Sequence, residues 1–137
     1  MRIFSRTARR EFLSKPEIID EIRNSNNYTP DEDLASADGF LICEEGDRRL
    51  WLIATRYRLY CITDDVRKKE PRIEWSFSKS KAMTGGEVTL EIRTKAGEGE
   101  TGLLDIGYRK EIPYTRRLFP DGDIACRIRE LIKSRMG

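Results

Sequence analysis

The side chains of this chain that could do chemistry are its thiols, carboxylates and cations, because it contains no histidine. Cys43, Cys61 and Cys126 are odd in number and widely spaced, with no Cys-x-x-Cys pair. Without histidine a mixed Cys/His zinc site is excluded, and three scattered thiols do not form the spacing of a thiolate site. Cys43 and Cys61 each continue an alternating apolar pattern and read as small core residues of a reducing compartment. Asp105 and Glu111 are carboxylates with no base or second acid at a spacing that would pair them for proton transfer. The residues therefore point away from an enzyme, and no cofactor is expected.

Charge is the remaining resource. The 26 Lys and Arg against 24 Asp and Glu leave a net charge of +2, too balanced for a dedicated nucleic-acid binder. The distribution is less even: residues 1–15 hold Arg2, Arg6, Arg9, Arg10 and Lys15 against Glu11, and residues 16–38 are acidic apart from Arg23. Phe4, Ala8 and Phe12 fall at helical spacing among Arg2, Arg6, Arg9 and Arg10. This arm could rest on an anionic membrane or dock on a partner. Its narrow apolar face fits packing against the rest of the chain better.

With 38% hydrophobic and 36% charged residues, the composition suits one small folded domain with a heavily solvated surface rather than a disordered chain. No apolar run reaches the roughly 18 residues of a membrane span, and the basic start lacks the apolar stretch of a secretory signal. A cytoplasmic protein is expected.

The elements that must position these groups follow from periodicity. Ser14, Pro16 and Glu17 read as a helix start, and Ile18, Ile19 and Ile22 give one apolar stripe. Thr29, Pro30 and Glu32 predict a second, short helix that Asp38-Gly39 ends. From Gly39 the period becomes two. Phe40 to Cys43, a turn around Gly46, Leu50 to Thr55, and Tyr57 to Ile62 form three strands in a row with apolar side chains on both faces. A flat, one-sided sheet would not need that; a curled sheet with something packed outside would. Ile73, Trp75 and Phe77 make a fourth strand, and Val88, Leu90 and Ile92 a fifth. Leu104, Ile106 and Tyr108 make a sixth, and Ile112 to Phe119 a seventh with Pro113 near its start. After Asp121 or Asp123 as cap, Ile124, Ile128, Leu131 and Ile132 line one face of a closing helix.

That order resembles the pleckstrin-homology-like superfold, especially its GRAM-type and bacterial members. Leu50-Trp51-Leu52-Ile53-Ala54-Thr55-Arg56-Tyr57-Arg58-Leu59-Tyr60 looks like the second and third strands of that superfold. The likeness covers about residues 39–135 and leaves 1–38 as a helical arm. It implies an α+β fold: a partly open barrel of about seven antiparallel strands capped by the C-terminal helix. It further implies that the loops after strands one, three and six gather at a mouth opposite the helix. Arg48 and Arg49, then Arg67, Lys68 and Lys69, then Arg109 and Lys110 would meet there and could hold a phosphate head group or an acidic partner.

The first loop departs from the lipid-binding pattern of the superfold, since Glu44, Glu45 and Asp47 stand where basic residues are expected. Asp64, Asp65 and Glu70 dilute the second loop in the same way, so the bland alternative is a solvated charged rim. The reading is a non-enzymatic binding module for a protein partner, through the mouth or the arm (Phe4, Phe12, Arg6, Arg9 and Arg10). Peripheral recruitment to anionic lipid is the alternative. Weak nucleic-acid association is disfavoured, because Trp51, Tyr57 and Tyr60 beside Arg56 and Arg58 are explained by barrel packing.

Overall fold

The structure, a computed structural model, describes residues 16–25, 37–68, 70–119 and 122–137. The expected helix at Thr29, the Ser14 cap of the first helix, the arm residues Phe4, Arg6, Arg9, Arg10 and Phe12, Lys69, and Asp121 as a cap of the closing helix lie outside the described residues.

The fold is α+β with antiparallel sheets. Helix α1 is Pro16–Arg23. Strands β1 (Asp38–Glu45), β2 (Arg48–Ala54), β3 (Arg58–Asp65) and β4 (Arg72–Ser78) form a four-stranded meander in the order β1-β2-β3-β4. A single turn of helix, α2 (Lys79–Ala82), leads into a two-stranded ribbon of β5 (Met83–Thr84) and β6 (Glu87–Val88). Strands β7 (Ile92–Lys95), β8 (Thr101–Ile106) and β9 (Lys110–Thr115) make a three-stranded sheet. A 3-10 turn at Arg116–Leu118 precedes the terminal helix α3 (Ile124–Met136). Among the described residues no helix is long and apolar enough to cross a membrane.

The two-faced pattern of the first hairpin has a physical outlet. Leu52, Ala54, Leu59 and Cys61 face inward and join Ile92, Leu104, Ile106 and the α3 residues Ile124, Ile128 and Ile132 in the main core. Trp51, Ile53, Tyr60 and Ile62 face the other way, and Ile18 and Ile22 of α1 cover them in a second core. Every one of these outward side chains is fully buried. The layers are therefore α1, the four-stranded sheet, then the three-stranded sheet with α3, which fits the rule that each apolar face needs a covering element.

Three expectations need correction. Among the described residues nine strands form three separate sheets that do not close on one another, where about seven strands in one partly open barrel were expected. The expected fifth strand is broken between Val88 and Ile92, because the N–H groups of Thr89 and Leu90 both donate to the Ala82 carbonyl instead of a ladder partner. Leu90 remains buried, so alternation of burial persists where strand pairing does not. Finally, Tyr108 leaves the sixth strand for a three-residue turn, and the seventh ends at Thr115.

The sheets are tied at one corner. Glu44 N–H donates to Thr115 Oγ1 at 2.9 Å, and that hydroxyl in turn faces the Glu44 carbonyl at 3.3 Å. At α3, Arg129 donates to the Ile92 carbonyl at 2.7 Å, fixing the helix on the edge of β7.

Candidate functional site

The β1–β2 hairpin turns through Gly46 and Asp47, with Gly46 at φ 59, a conformation glycine adopts without penalty. Its neighbour is the β3–β4 loop. Val66 N–H donates to the Asp47 carbonyl at 2.8 Å, and Arg67 Nε lies 3.5 Å from Asp47 Oδ2. Asp65 Oδ1 accepts the N–H groups of Arg67 and Lys68, an Asx turn that sets the loop's direction. Arg48, Arg49, Arg67 and Lys68 are thereby brought to one end of the four-stranded sheet.

Acids accompany these cations. Arg48 stands opposite Asp65 and Arg49 opposite Asp64 in the β2–β3 ladder. Glu44 lies 3.6 Å from Arg49 and 3.0 Å from Arg117. The exposed pair of Glu44 with Arg117 contributes at most about 1 kcal/mol, and acids placed among the cations weaken the field a phosphate would need.

Arg109 and Lys110 do not join this group. The ring of the adjoining Tyr108 lies 5.1 Å from that of Phe77, and Lys81 Nζ sits 5.2 Å from its centroid. Phe77 pairs with Leu59 on β3, whereas Arg48 pairs with Asp65. From residue 59 to residue 65 the strand spans about 20 Å at 3.3 Å per residue. The β8–β9 turn is thus at the far end, because β9 crosses from the Phe77 end of the sheet to the Glu44 corner, where Thr115 meets β1.

That crossing leaves a gap between β4 and β9, the edge strands of the two larger sheets. The gap is a cleft of about 560 Å³. Its floor comes from the inner face of the meander: Cys43, Leu50, Cys61, Thr63 and Trp75. Ile112 and Pro113 of β9 form the opposite wall, and Glu45, Arg48, Arg49, Glu74 and Glu111 form the rim. Pro113 occupies an edge strand, where its missing N–H is tolerated.

The two cleft thiols are weak nucleophiles. Burial pushes Cys61 far above the ordinary thiol range. Burial also raises Cys43, partly offset by its contact with the Thr115 hydroxyl. Their strands are separated by β2, so about 10 Å of sheet lies between them, beyond the reach of a disulfide. Cys126, by contrast, is exposed on α3. Among the described residues no three His, Cys, Asp or Glu side chains gather as a metal site.

The cleft floor was not legible in the sequence. Leu50, Thr63 and Trp75 carry an ordinary alternating signal, and only the crossing of β9 leaves them uncovered. A second missed feature had a visible signal: residues 53–63 and 75–86 contain no Asp or Glu at all, in a chain that is 36% charged. No protein-family model, curated protein or solved structure matches this chain.

Proposed function

We propose that this chain is a non-enzymatic binding module that receives an extended segment of a protein partner in the cleft between β4 and β9. One observation carries the reading: two edge strands flank a cleft of about 560 Å³ with an apolar floor and a rim of both charge signs. Edge strands offer ladder groups to an incoming chain, and alternate side chains of that chain can enter a floor such as Leu50 and Trp75 provide. The mixed rim, three glutamates and two arginines, matches a peptide of mixed charge better than a phosphate. We read the meander, the second sheet and the closing helix as a pleckstrin-homology-like frame whose sheets stay apart. A lipid head group at Arg48, Arg49 and Arg67 would have to compete with Glu44 and Asp47, which is why the protein partner is preferred.

The test is selection from a displayed library of random peptides on the wild-type chain, with counter-selection on Thr63→Arg, which fills the cleft floor. Peptides that bind the wild type and lose at least tenfold in affinity on the variant are expected. If every recovered peptide binds both proteins equally, while both melt at the same temperature, the cleft is not the contact surface.

A further inference from the structure

The far end of the meander, opposite the Arg48 loop, carries a second surface that the partner cleft does not use. The β2–β3 turn, α2 and the β8–β9 turn meet there. Lys79 N–H donates to the Tyr57 carbonyl at 2.8 Å, and Lys81 and Phe77 hold the ring of Tyr108. The side chains supplied are Lys79, Lys81, Arg109 and Lys110, and none of the four forms an ion pair with a described acid. Of the acids on adjoining strands, Glu91 is engaged with Arg93 at 3.5 Å, Glu111 with Lys95 at 2.7 Å, Asp105 stands opposite Glu111 in the β8–β9 ladder, and Glu74 belongs to the cleft rim. Gathering unpaired cations on one surface costs self-repulsion, which an anion relieves.

Two aromatic side chains stand among these cations. Tyr57 is 47% exposed and Tyr108 57% exposed, and Val66, the third large exposed apolar side chain described, lies at the other end. Both Tyr108 and Arg109 have φ 63, the left-handed region that non-glycine residues seldom occupy. Two such residues in succession are held by their surroundings, and strain of that kind concentrates at working sites. The result is a tilted aromatic ring, backed by Phe77, with the Lys81 ammonium beside it.

We propose that this end binds single-stranded nucleic acid, with Tyr108 stacking on a base and Lys79, Lys81, Arg109 and Lys110 meeting the phosphates. Stacking platforms set in a basic groove are how sequence-tolerant single-strand binding is achieved. An anionic membrane would use the same charge but needs apolar side chains that protrude. Here the ring of Tyr108 lies back on Phe77, and the patch offers no exposed aliphatic side chain for insertion. The surface is distinct from the peptide cleft, so either can fail without the other.

The test uses fluorescence anisotropy with a labelled 12-residue oligouridylate and an abasic strand of equal charge, at 50 mM salt and upward. The wild type binds the oligouridylate, and log affinity falls with log salt at a slope of about −3, as four phosphate contacts on a single strand require. Tyr108→Ala weakens binding roughly tenfold, within the range for one stacked base, and leaves the abasic strand unaffected; Tyr108→Phe retains binding. Lys79→Glu with Lys81→Glu abolishes both. Should Tyr108→Ala melt early, Tyr57→Ala replaces it with the same expected direction, because Tyr57 is the other exposed ring on the patch. No binding at 50 mM salt, equal affinity for the abasic strand, or binding confined to phosphatidylserine vesicles overturns the proposal.

Discussion

At the scale of single residues, Tyr108 and Arg109 show how local strain can be separated from global stability. Arg109 at φ 63 holds a conformation that costs an L side chain about 1–2 kcal/mol and glycine nothing. Arg109→Gly is therefore expected to raise the thermal midpoint by about 2–4 °C for a net gain near 1 kcal/mol in a chain of this size, while weakening oligouridylate binding. A fall in the midpoint would mean that the Arg109 side chain stabilises the turn by more than its backbone costs. The thiols make a second case. Cys43 and Cys61 are buried and held protonated, and Cys126 is exposed. Ellman's reagent should modify one thiol per folded chain quickly, and Cys126→Ser should remove that phase. Two fast thiols in the wild type would show that the cleft opens to its floor. The core assignment of Cys43 and Cys61 was legible in sequence because both continue a period-two pattern. Their position under a cleft was not, since no local spacing reports what stops short of covering them.

At the scale of elements, the informative piece is α1. Eight residues with Ile18 and Ile22 on one face would be marginal as an isolated helix. Its stability comes from covering Trp51, Ile53, Tyr60 and Ile62. Ile22→Ala should cost about 2–5 kcal/mol, the usual range for truncating a fully buried isoleucine, read by urea denaturation. A loss below 0.5 kcal/mol would show that the outer face of the sheet is covered by something else. The sequence displayed both halves of this contact: a stripe at helical spacing in α1, and apolar side chains on both faces of β2 and β3. The same logic made α3 readable from Ile124, Ile128, Leu131 and Ile132. The fifth strand failed for the opposite reason. Val88, Leu90 and Ile92 keep an alternating burial pattern, but the Ala82 carbonyl captures two successive N–H groups, and hydrogen-bond routing of that kind leaves no mark on hydrophobic period.

At the scale of the whole molecule, the arrangement of the two larger sheets decides which charges meet. Three loops were expected to converge, and two do. The β8–β9 turn lies at the other end because β9 crosses the meander from Phe77 to Glu44, a relation between distant segments that no window of sequence contains. The molecule consequently has two unlike ends. One holds Arg48, Arg49 and Arg67 among Glu44, Asp47, Asp64 and Asp65; the other holds Lys79, Lys81, Arg109 and Lys110 with two tyrosines, its neighbouring acids Glu91 and Glu111 being paired with Arg93 and Lys95. The first should be nearly indifferent to salt in its interactions and the second strongly dependent on it. The proposed module rests on the gap that this crossing leaves between β4 and β9, and one measurement addresses it most directly. A photo-crosslinking amino acid is placed at Thr63 on the cleft floor and, separately, at Thr94, an exposed position on β7. In living cells, illumination should yield a discrete crosslinked protein from Thr63 that Thr94 does not give. Identical crosslinking patterns from the two positions, or none from Thr63, would contradict the account.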